Sequence, residues 1–307
     1  MSIHPLEGLT VLERGWLSSN NILVHAPDGA SAALVDSGHS VHAEQTVALV
    51  HHALAGATLS CIVNTHLHSD HCGGNAALQQ VWNAPIWLPP GQADAVENWD
   101  EARLSYRSTG QRCDRYGVQQ RLTPGSTIEL GARRWDVIAA PGHDPDAVML
   151  FDAAHGVLLS GDALWQNGFG VVFPALEGDT RAFDDVAAVL DLIEQLAVRQ
   201  VVPGHGAPFS DVTDALARAR RRLAGFRTDP ARHARHGAKV LIKYHLMEVR
   251  QLALAELLDW LDATPILTSC HAQSGSSEVS SVWARGVLDE LLAWQLLRRD
   301  GAQVYDV

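Results

Sequence analysis

Residues 62–75 read IVNTHLHSDHCGGN and place His66, His68, Asp70 and His71 within six positions. Imidazole and carboxylate are side chains that hold Zn²⁺, Fe or Mn. Three further fragments share the same grammar: His143 follows an apolar run in IAAPGHDPD, Asp162 does so in LLSGDALW, and His205 in QVVPGHGAPF. Each fragment puts a metal-capable side chain on a loop at a strand's end, where a rigid sheet can aim it. Five histidines and two aspartates exceed one tetrahedral site but suit two ions with one bridging carboxylate. In H-x-H, two imidazoles on an extended segment point the same way and can share one ion. Asp70 and His71 lie past the turn and can serve another. Gly73 and Gly74 let the backbone pass close and start the next helix. The chain has 16 histidines. His4, His25, His39, His42, His51, His52, His155, His233, His236, His245 and His271 are expected at the surface or around the site, not as ligands.

The elements that position these loops come in two runs. Residues 8–36 alternate turn signals with short apolar segments, LTVLERG, NNILVHA and SAALVDSG, and predict meandering strands. HAEQTVALVHHALAG has helical spacing closed by Gly56, LSCIVNT is a buried strand, CGGNAALQQVWN a short helix and APIWLP a strand. Residues 89–122 are less regular, with a helical stretch GQADAVENWDEARLSY crossing one face. Strands resume in STIEL, RRWDVIAAP, AVMLFDA and GVLLSGD, a helix covers 180–196, and RQVVPG is the last strand before His205. Two runs of strands, each closed by helices, predict an α/β fold, a four-layer αββα sandwich. From 212 the chain turns helical and ends in a hairpin around Asp300-Gly301. The expected domains are 1–211, carrying the chemistry, and 212–307, a small helical, winged-helix-like module.

Composition bounds the rest. With 307 residues, 47% hydrophobic and 19% charged, the chain is an ordinary globular one. It contains no apolar run long enough for a membrane helix, and MSIHPLEGLTVLERGW lacks the basic start and apolar core of a signal peptide. Four scattered cysteines predict a reducing compartment, the cytoplasm. The net charge of −12 divides unevenly: residues 1–211 hold 24 acids and 10 bases, residues 212–307 hold 11 acids and 13 bases. The acidic body repels nucleic acid at long range.

The ordered set H-x-H-x-D-H, PGH, GD and PGHG, spanning residues 66–205, resembles the metallo-β-lactamase superfamily, whose fold is an αββα sandwich. The resemblance implies that His66, His68 and His143 hold one metal, that Asp70, His71 and His205 hold a second, and that Asp162 bridges them. Asp36 in LVDSG matches an early Asp of the family that orients a ligand. The implied cofactor is a pair of divalent ions, Zn²⁺ foremost, with Fe or Mn also suited.

Two divalent ions sharing a water lower its pKa toward neutrality and supply hydroxide as nucleophile. The expected function is hydrolysis of an ester, lactone or thioester carbonyl in a small acyl substrate, with Asp70 carrying a proton to the leaving group. Glyoxalase II-type thioesterases carry a basic residue that grips glutathione near where Val171 falls here. Homoserine-lactone lactonases carry a Tyr where this chain has Trp165. Trp165, Phe169 and Phe173 are candidates for an apolar acyl pocket. Asp144 caps a turn, and Asp146 adds negative charge disfavouring polyanions.

The alternative is a ribonuclease or phosphodiesterase of the same superfamily. Residues 218–243 carry Arg218, Arg220, Arg221, Arg222, Arg227, Arg232, Arg235, Lys239 and Lys243 against Asp229 alone. These cations can grip phosphates or pair with the acidic body, which is the favoured reading. A third reading, a mononuclear iron dioxygenase acting on persulfides, is disfavoured by retention of every second-site ligand. No membrane partner is expected, and a homodimer is allowed. In the tail, Leu254, Leu257, Leu258 and Leu261 share one helix face, and Val282, Leu288, Leu291, Leu292 and Trp294 offer more apolar surface. These faces are expected to pack on the catalytic body and wall the metal cleft.

Overall fold

The computed structural model describes residues 5–307; His4 lies outside the described residues. β1 (Leu9–Leu12), β2 (Asn21–His25), β3 (Ser31–Val35), β4 (Thr58–Val63), β5 (Ile86–Leu88) and β6 (Gln120–Arg121) form one sheet in that order. β7 (Thr127–Leu130), β8 (Arg133–Ala139), β9 (Val148–Asp152), β10 (Val157–Gly161) and β11 (Gln200–Pro203) form a second, ordered β11-β10-β9-β8-β7. β3, β4, β5 and β6 pair in parallel, and so do β10 and β11; the other pairs are antiparallel.

The period of two along each strand builds the layers. In β9, Val148 and Leu150 enter the core between the sheets, with Val24, Val35, Val63 and Trp135. Met149 and Phe151 face the other way, into an outer core under helices. Both faces are covered, so the strand reads as a continuous apolar run.

Over the first sheet lie α1 (Ala43–Leu54), the single turn α2 (Ser69–Cys72), α3 (Asn75–Trp82), α4 (Pro90–Asn98) and the short α5 (Tyr106–Thr109). A Cβ on Gly74 would meet the Ser37 carbonyl oxygen at 2.4 Å, so the backbone does pass close there. The helix expected across GQADAVENWDEARLSY stops at Asn98. Trp99 takes a left-handed conformation, φ 52°, and its ring packs on Tyr106 and Tyr116. Packing here overrides helical propensity.

Beyond β10 come α6 (Phe173–Leu176), α7 (Ala182–Gln195) and α8 (Val212–Thr228). Ala215, Leu216, Ala219, Leu223 and Phe226 of α8 pack with α7 in the outer core of the second sheet. A separate core gathers α9 (Pro230–Val249), α10 (Leu254–Ala263), α11 (Pro265–Gln273) and α12 (Ser280–Ala293). It is edged by a three-stranded sheet of β12 (Gln251–Ala253), β13 (Leu297–Asp300) and β14 (Gln303–Asp306), with the predicted hairpin between the last two. α11 carries no clear signal in the sequence, because its apolar residues lack a sharp 3.6-residue period. Leu257 and Leu261 are buried, with Leu254 and Leu258 packed beside them. In α12 the buried stripe is Ala284, Val287, Leu288 and Leu291. Val282 and Trp294 fall off that stripe and stay 55% and 58% exposed, unlike the sequence expectation. Among the described residues no helix is long and apolar enough to cross a membrane.

A chain cut after residue 211 would strip α8 from the second sheet and expose five buried side chains together with their partners. Such a fragment is expected to be insoluble or to melt without cooperativity. A soluble 1–211 fragment with a sharp thermal transition would contradict this account of the outer layer.

Candidate metal centre

The seven predicted ligands arrive from separate strand ends. His66 and His68 follow β4, and Asp70 and His71 sit on α2. His143 follows β8, Asp162 follows β10 and His205 follows β11. β8, β10 and β11 run in one direction, so their C-terminal ends share an edge, which meets the matching edge of β3 and β4. All seven side chains are buried.

They converge in three overlapping trios whose donor atoms lie within 4.8 Å of one another: His66, His68 and His143; His66, His71 and Asp162; Asp70, His71 and His205. Asp162 faces both ways, with Oδ2 3.4 Å from His143 Nε2 and Oδ1 3.3 Å from His71 Nε2. His68 Nδ1 lies 2.7 Å from His143 Nε2, and His205 Nε2 lies 3.1 Å from Asp70 Oδ2.

The surrounding hydrogen bonds fix which ring nitrogen faces inward. Asp36, at the end of β3 with φ 57°, accepts from the Thr65 amide and hydroxyl, and its Oδ2 lies 2.8 Å from His71 Nδ1. His71 Nδ1–H donates there, which turns Nε2 to the centre. Thr65 Oγ1 lies 3.1 Å from His66 Nδ1 and does the same for His66. His143 Nδ1–H donates to the Val171 carbonyl oxygen at 2.5 Å. The nitrogens so aimed, His66 Nε2 and His71 Nε2, are buried and have no hydrogen-bond partner. An orphaned buried nitrogen costs free energy unless something satisfies it, and a cation between these rings would. A Cβ on Gly204 would sit 2.3 Å from Asp162 Oδ1, so only glycine leaves this room. The donor set fits two divalent ions of the Zn²⁺, Fe or Mn kind.

Protonation suits ligation at His66, His68 and His143, whereas His71 must give up a proton to bind an ion. Burial pushes His68 and His143 down to about 4 and His66 well below its ordinary value, so these rings are neutral at pH 7. Burial opposes ionisation of Asp70 and Asp162, but His71 and His205 beside them hold both carboxyls well below the usual range. Burial also disfavours a charged His71, yet Asp162, Asp36 and Asp70 raise it well above its ordinary value. Two carboxylates are thus kept ionised although both are buried.

The centre forms the floor of a cleft of about 290 Å³. Trp16, Trp165 and Phe173 line it from the sandwich; Val240, Tyr244, His245 and Glu248 of α9 and Trp260 of α10 form the opposite wall. Trp165 Nε1 donates to Asp162 Oδ1 at 3.2 Å, so the indole that replaces a tyrosine still holds a polar contact. Phe173 packs on His68 and His143. Phe169 does not line the cleft: it is buried in the outer core. Asp146 turns onto Gly91 at the start of α4 and is not among the cleft-lining residues. Asp144 is buried, accepts from Gln92 and caps the Asp146 amide. His39, His236 and His245, expected at the surface or around the site, line the cleft, and no local motif marks them for it. His233, on α9, accepts from the Val172 amide at 3.3 Å. The next carbonyl back along the chain, Val171, is the one that orients His143, so α9 braces that ring at one remove.

Comparison with known proteins supplies a family. The family model described as metallo-beta-lactamase superfamily matches residues 14–205. A hydroxyacylglutathione hydrolase of Synechococcus sp. (strain JA-2-3B'a(2-13)) is 32% identical over 189 residues, covering 61% of this chain and 64% of the relative. A namesake from Hyphomonas neptunium is 28% identical, over 49% of this chain and 50% of its own length. The chain thus spans between half and just under two-thirds of the length of these curated relatives. Among solved structures, a metallo-beta-lactamase family protein from Thermus thermophilus is similar at TM-score 0.58 and 20% identity. The likeness covers 98% of this chain and 99% of that one, so the shared fold extends through the tail.

Asp36→Ala frees His71 and Thr65, and outer-sphere losses of this kind cost roughly 10–100-fold in metal affinity. Competitive titration with a chelating dye measures it, and unchanged affinity would sink the assigned role. Burial, aided by Arg222, pushes His233 down to about 4. The unfolded chain, with His near 6.5, therefore takes up more protons than the folded one as pH falls. Stability from this residue is fully present above about pH 6.5 and is lost toward pH 4, by ~3 kcal/mol. His233→Leu should flatten that part of the urea-denaturation profile.

Proposed function

The chain belongs to the metallo-beta-lactamase superfamily, and we propose that it is a dinuclear metal-dependent hydrolase of small acyl substrates. One observation carries the reading: seven buried His and Asp side chains converge in overlapping trios at the floor of a largely apolar cleft. His66, His68 and His143 hold one ion, Asp70, His71 and His205 the other, and Asp162 reaches both. Zn²⁺ is the leading metal. When bound, the ions activate a water and polarise the scissile carbonyl. The chain's own residues do the rest. Trp16, Trp165 and Phe173 shield the reacting carbonyl from bulk water, and Trp165 N–H orients Asp162. Asp70, ionised and beside His205 at the cleft floor, takes the proton that the attacking water gives up and passes it to the leaving group.

The scissile bond is that of an ester, lactone or thioester. The name of the curated relatives, hydroxyacylglutathione hydrolase, favours a thioester. Against glutathione stands Val171, whose side chain offers no cation at that position and whose carbonyl is engaged by His143; the cation that does line the cleft, Arg222, is turned to His236 at 2.7 Å. We therefore rank a neutral ester or lactone first. The phosphodiester alternative has less support: of the nine basic residues at 218–243, six pair with carboxylates of the protein itself. Arg218 pairs with Asp211, Arg220 with Asp191 and Glu194, Arg227 with Asp184, Arg235 and Lys239 with Glu290, and Lys243 with Asp306. The four free thiols fit a reducing compartment, the cytoplasm.

Purified protein should hold about two divalent ions per chain, and Asp162→Ala should hold fewer by elemental analysis. A panel of lactones, aryl esters, thioesters, phosphodiesters and a β-lactam should show acyl turnover. Asp70→Asn should lower kcat far more than it changes KM. Efficient phosphodiester cleavage with no acyl turnover would overturn the proposal.

A further inference from the structure

Cys72 ends α2, directly after His71, and its sulfur is buried. Cys113 lies in the irregular stretch after α5 and is partly exposed. The two sulfurs are 3.8 Å apart, close to van der Waals contact. The other two thiols are placed elsewhere: Cys61 is in the core between the sheets and Cys270 in the core of the tail. The metal chemistry makes no use of Cys72 or Cys113. We propose that they form a reversible oxidation site, at which a hydroperoxide joins them in a disulfide that ties one wall of the cleft to the helix bearing Asp70 and His71.

The accessible Cys113 sulfur attacks the peroxide O–O bond and takes one oxygen, becoming a sulfenic acid, and water or an alcohol leaves. The Cys72 sulfur then attacks the Cys113 sulfur. The S–S bond forms, the S–O bond breaks, and the sulfenic oxygen leaves as water with the Cys72 proton. Two thiols are oxidised by two electrons and one hydroperoxide is reduced. Access sets the order of events, since Cys113 is partly exposed and Cys72 is buried.

Disulfide bonding brings sulfurs to about 2.0 Å, so one side must move. α2 is the held side. The Cys72 thiol is 3.3 Å from the His68 carbonyl oxygen, and Tyr106 Oη donates to the Leu67 carbonyl at 2.9 Å and lies 3.1 Å from the Cys72 sulfur. Behind it, a Cβ on Gly73 would already strike the Ser40 amide at 2.2 Å. The stretch after α5 is irregular and is tied by two hydrogen bonds: Gln111 Oε1 accepts from the Ser69 amide, and the Arg112 carbonyl accepts from Ser40. Thr109, Gly110 and Gln111 line the cleft. Oxidation therefore draws this wall inward, and leaves the ligand set in place.

The test treats metal-replete protein with hydrogen peroxide and follows intact mass, free thiols, tryptic peptides and metal content. The mass should fall by two hydrogens, free thiols should drop from four to two, and one peptide should link Cys72 to Cys113. Thiol reductant should reverse all three, with metal content unchanged. Tryptic cleavage after Arg112 and Arg115 should slow several-fold on oxidation, which reads the wall without any substrate. For any acyl substrate turned over, KM should rise several-fold. Cys113→Ser should keep its metal and basal turnover and show no peroxide-dependent change in mass or cleavage. Four surviving thiols, over-oxidation of Cys113 without a cross-link, or a cross-linked protein cleaved at the unoxidised rate would each overturn the proposal.

Discussion

Seven ligand-type side chains are buried together at one point, and most of the structure answers to that constraint. Burying imidazoles and carboxylates is costly unless each polar atom is satisfied. Asp36 shows how this is met. Its two oxygens take the Thr65 amide and hydroxyl and the His71 ring. One carboxylate thereby ties β3 to the loop after β4 and sets the tautomer of His71. The left-handed backbone at Asp36 is the conformational cost of turning that carboxylate inward.

The sandwich supplies rigidity but not enclosure. Strand ends deliver ligand candidates from both sheets to a shared edge, and that edge would be open without the tail. α9 closes it in two ways. Tyr244, His245 and Glu248 form a wall facing the centre. His233, behind them, accepts the Val172 amide, next to the carbonyl that orients His143. The core of the tail continues into the body through Val171 and Leu176. Wall, brace and core are thus one packed unit, and the same two residues, Val171 and Val172, join them to the metal floor.

Charge is distributed by the same packing. The basic run of α8 and α9 faces acids of α7, of α12 and of the terminal strand. Exposed pairs of this kind contribute little individually. Three of the bases, Arg218, Arg220 and Arg227, meet acids from before residue 212, while Arg235, Lys239 and Lys243 pair within the tail. Arg222 is different: it sits beside Phe169 and Phe226, with its guanidinium 2.7 Å from His236.

The ligand candidates were legible in the sequence because metal chemistry restricts residue type and because each one follows a β-forming run. The layers were legible too, since strands buried on both faces read as unbroken apolar segments, as in VMLFD. Local pattern did not carry what depends on distant packing. The helix that breaks at Trp99 does so for contacts with Tyr106 and Tyr116. Phe169 looked like a pocket residue by its place near Asp162 but turns into the outer core, while Trp165 stays in the cleft. The far wall, from Tyr244 to Trp260, lies well beyond His205, the last ligand candidate in the chain, and bears no motif. A sequence specifies which side chains can bind an ion, because that is a property of their atoms. Which apolar and polar groups surround the ion is a property of how helices pack, and it emerges only when α9 folds back across the sheet edge.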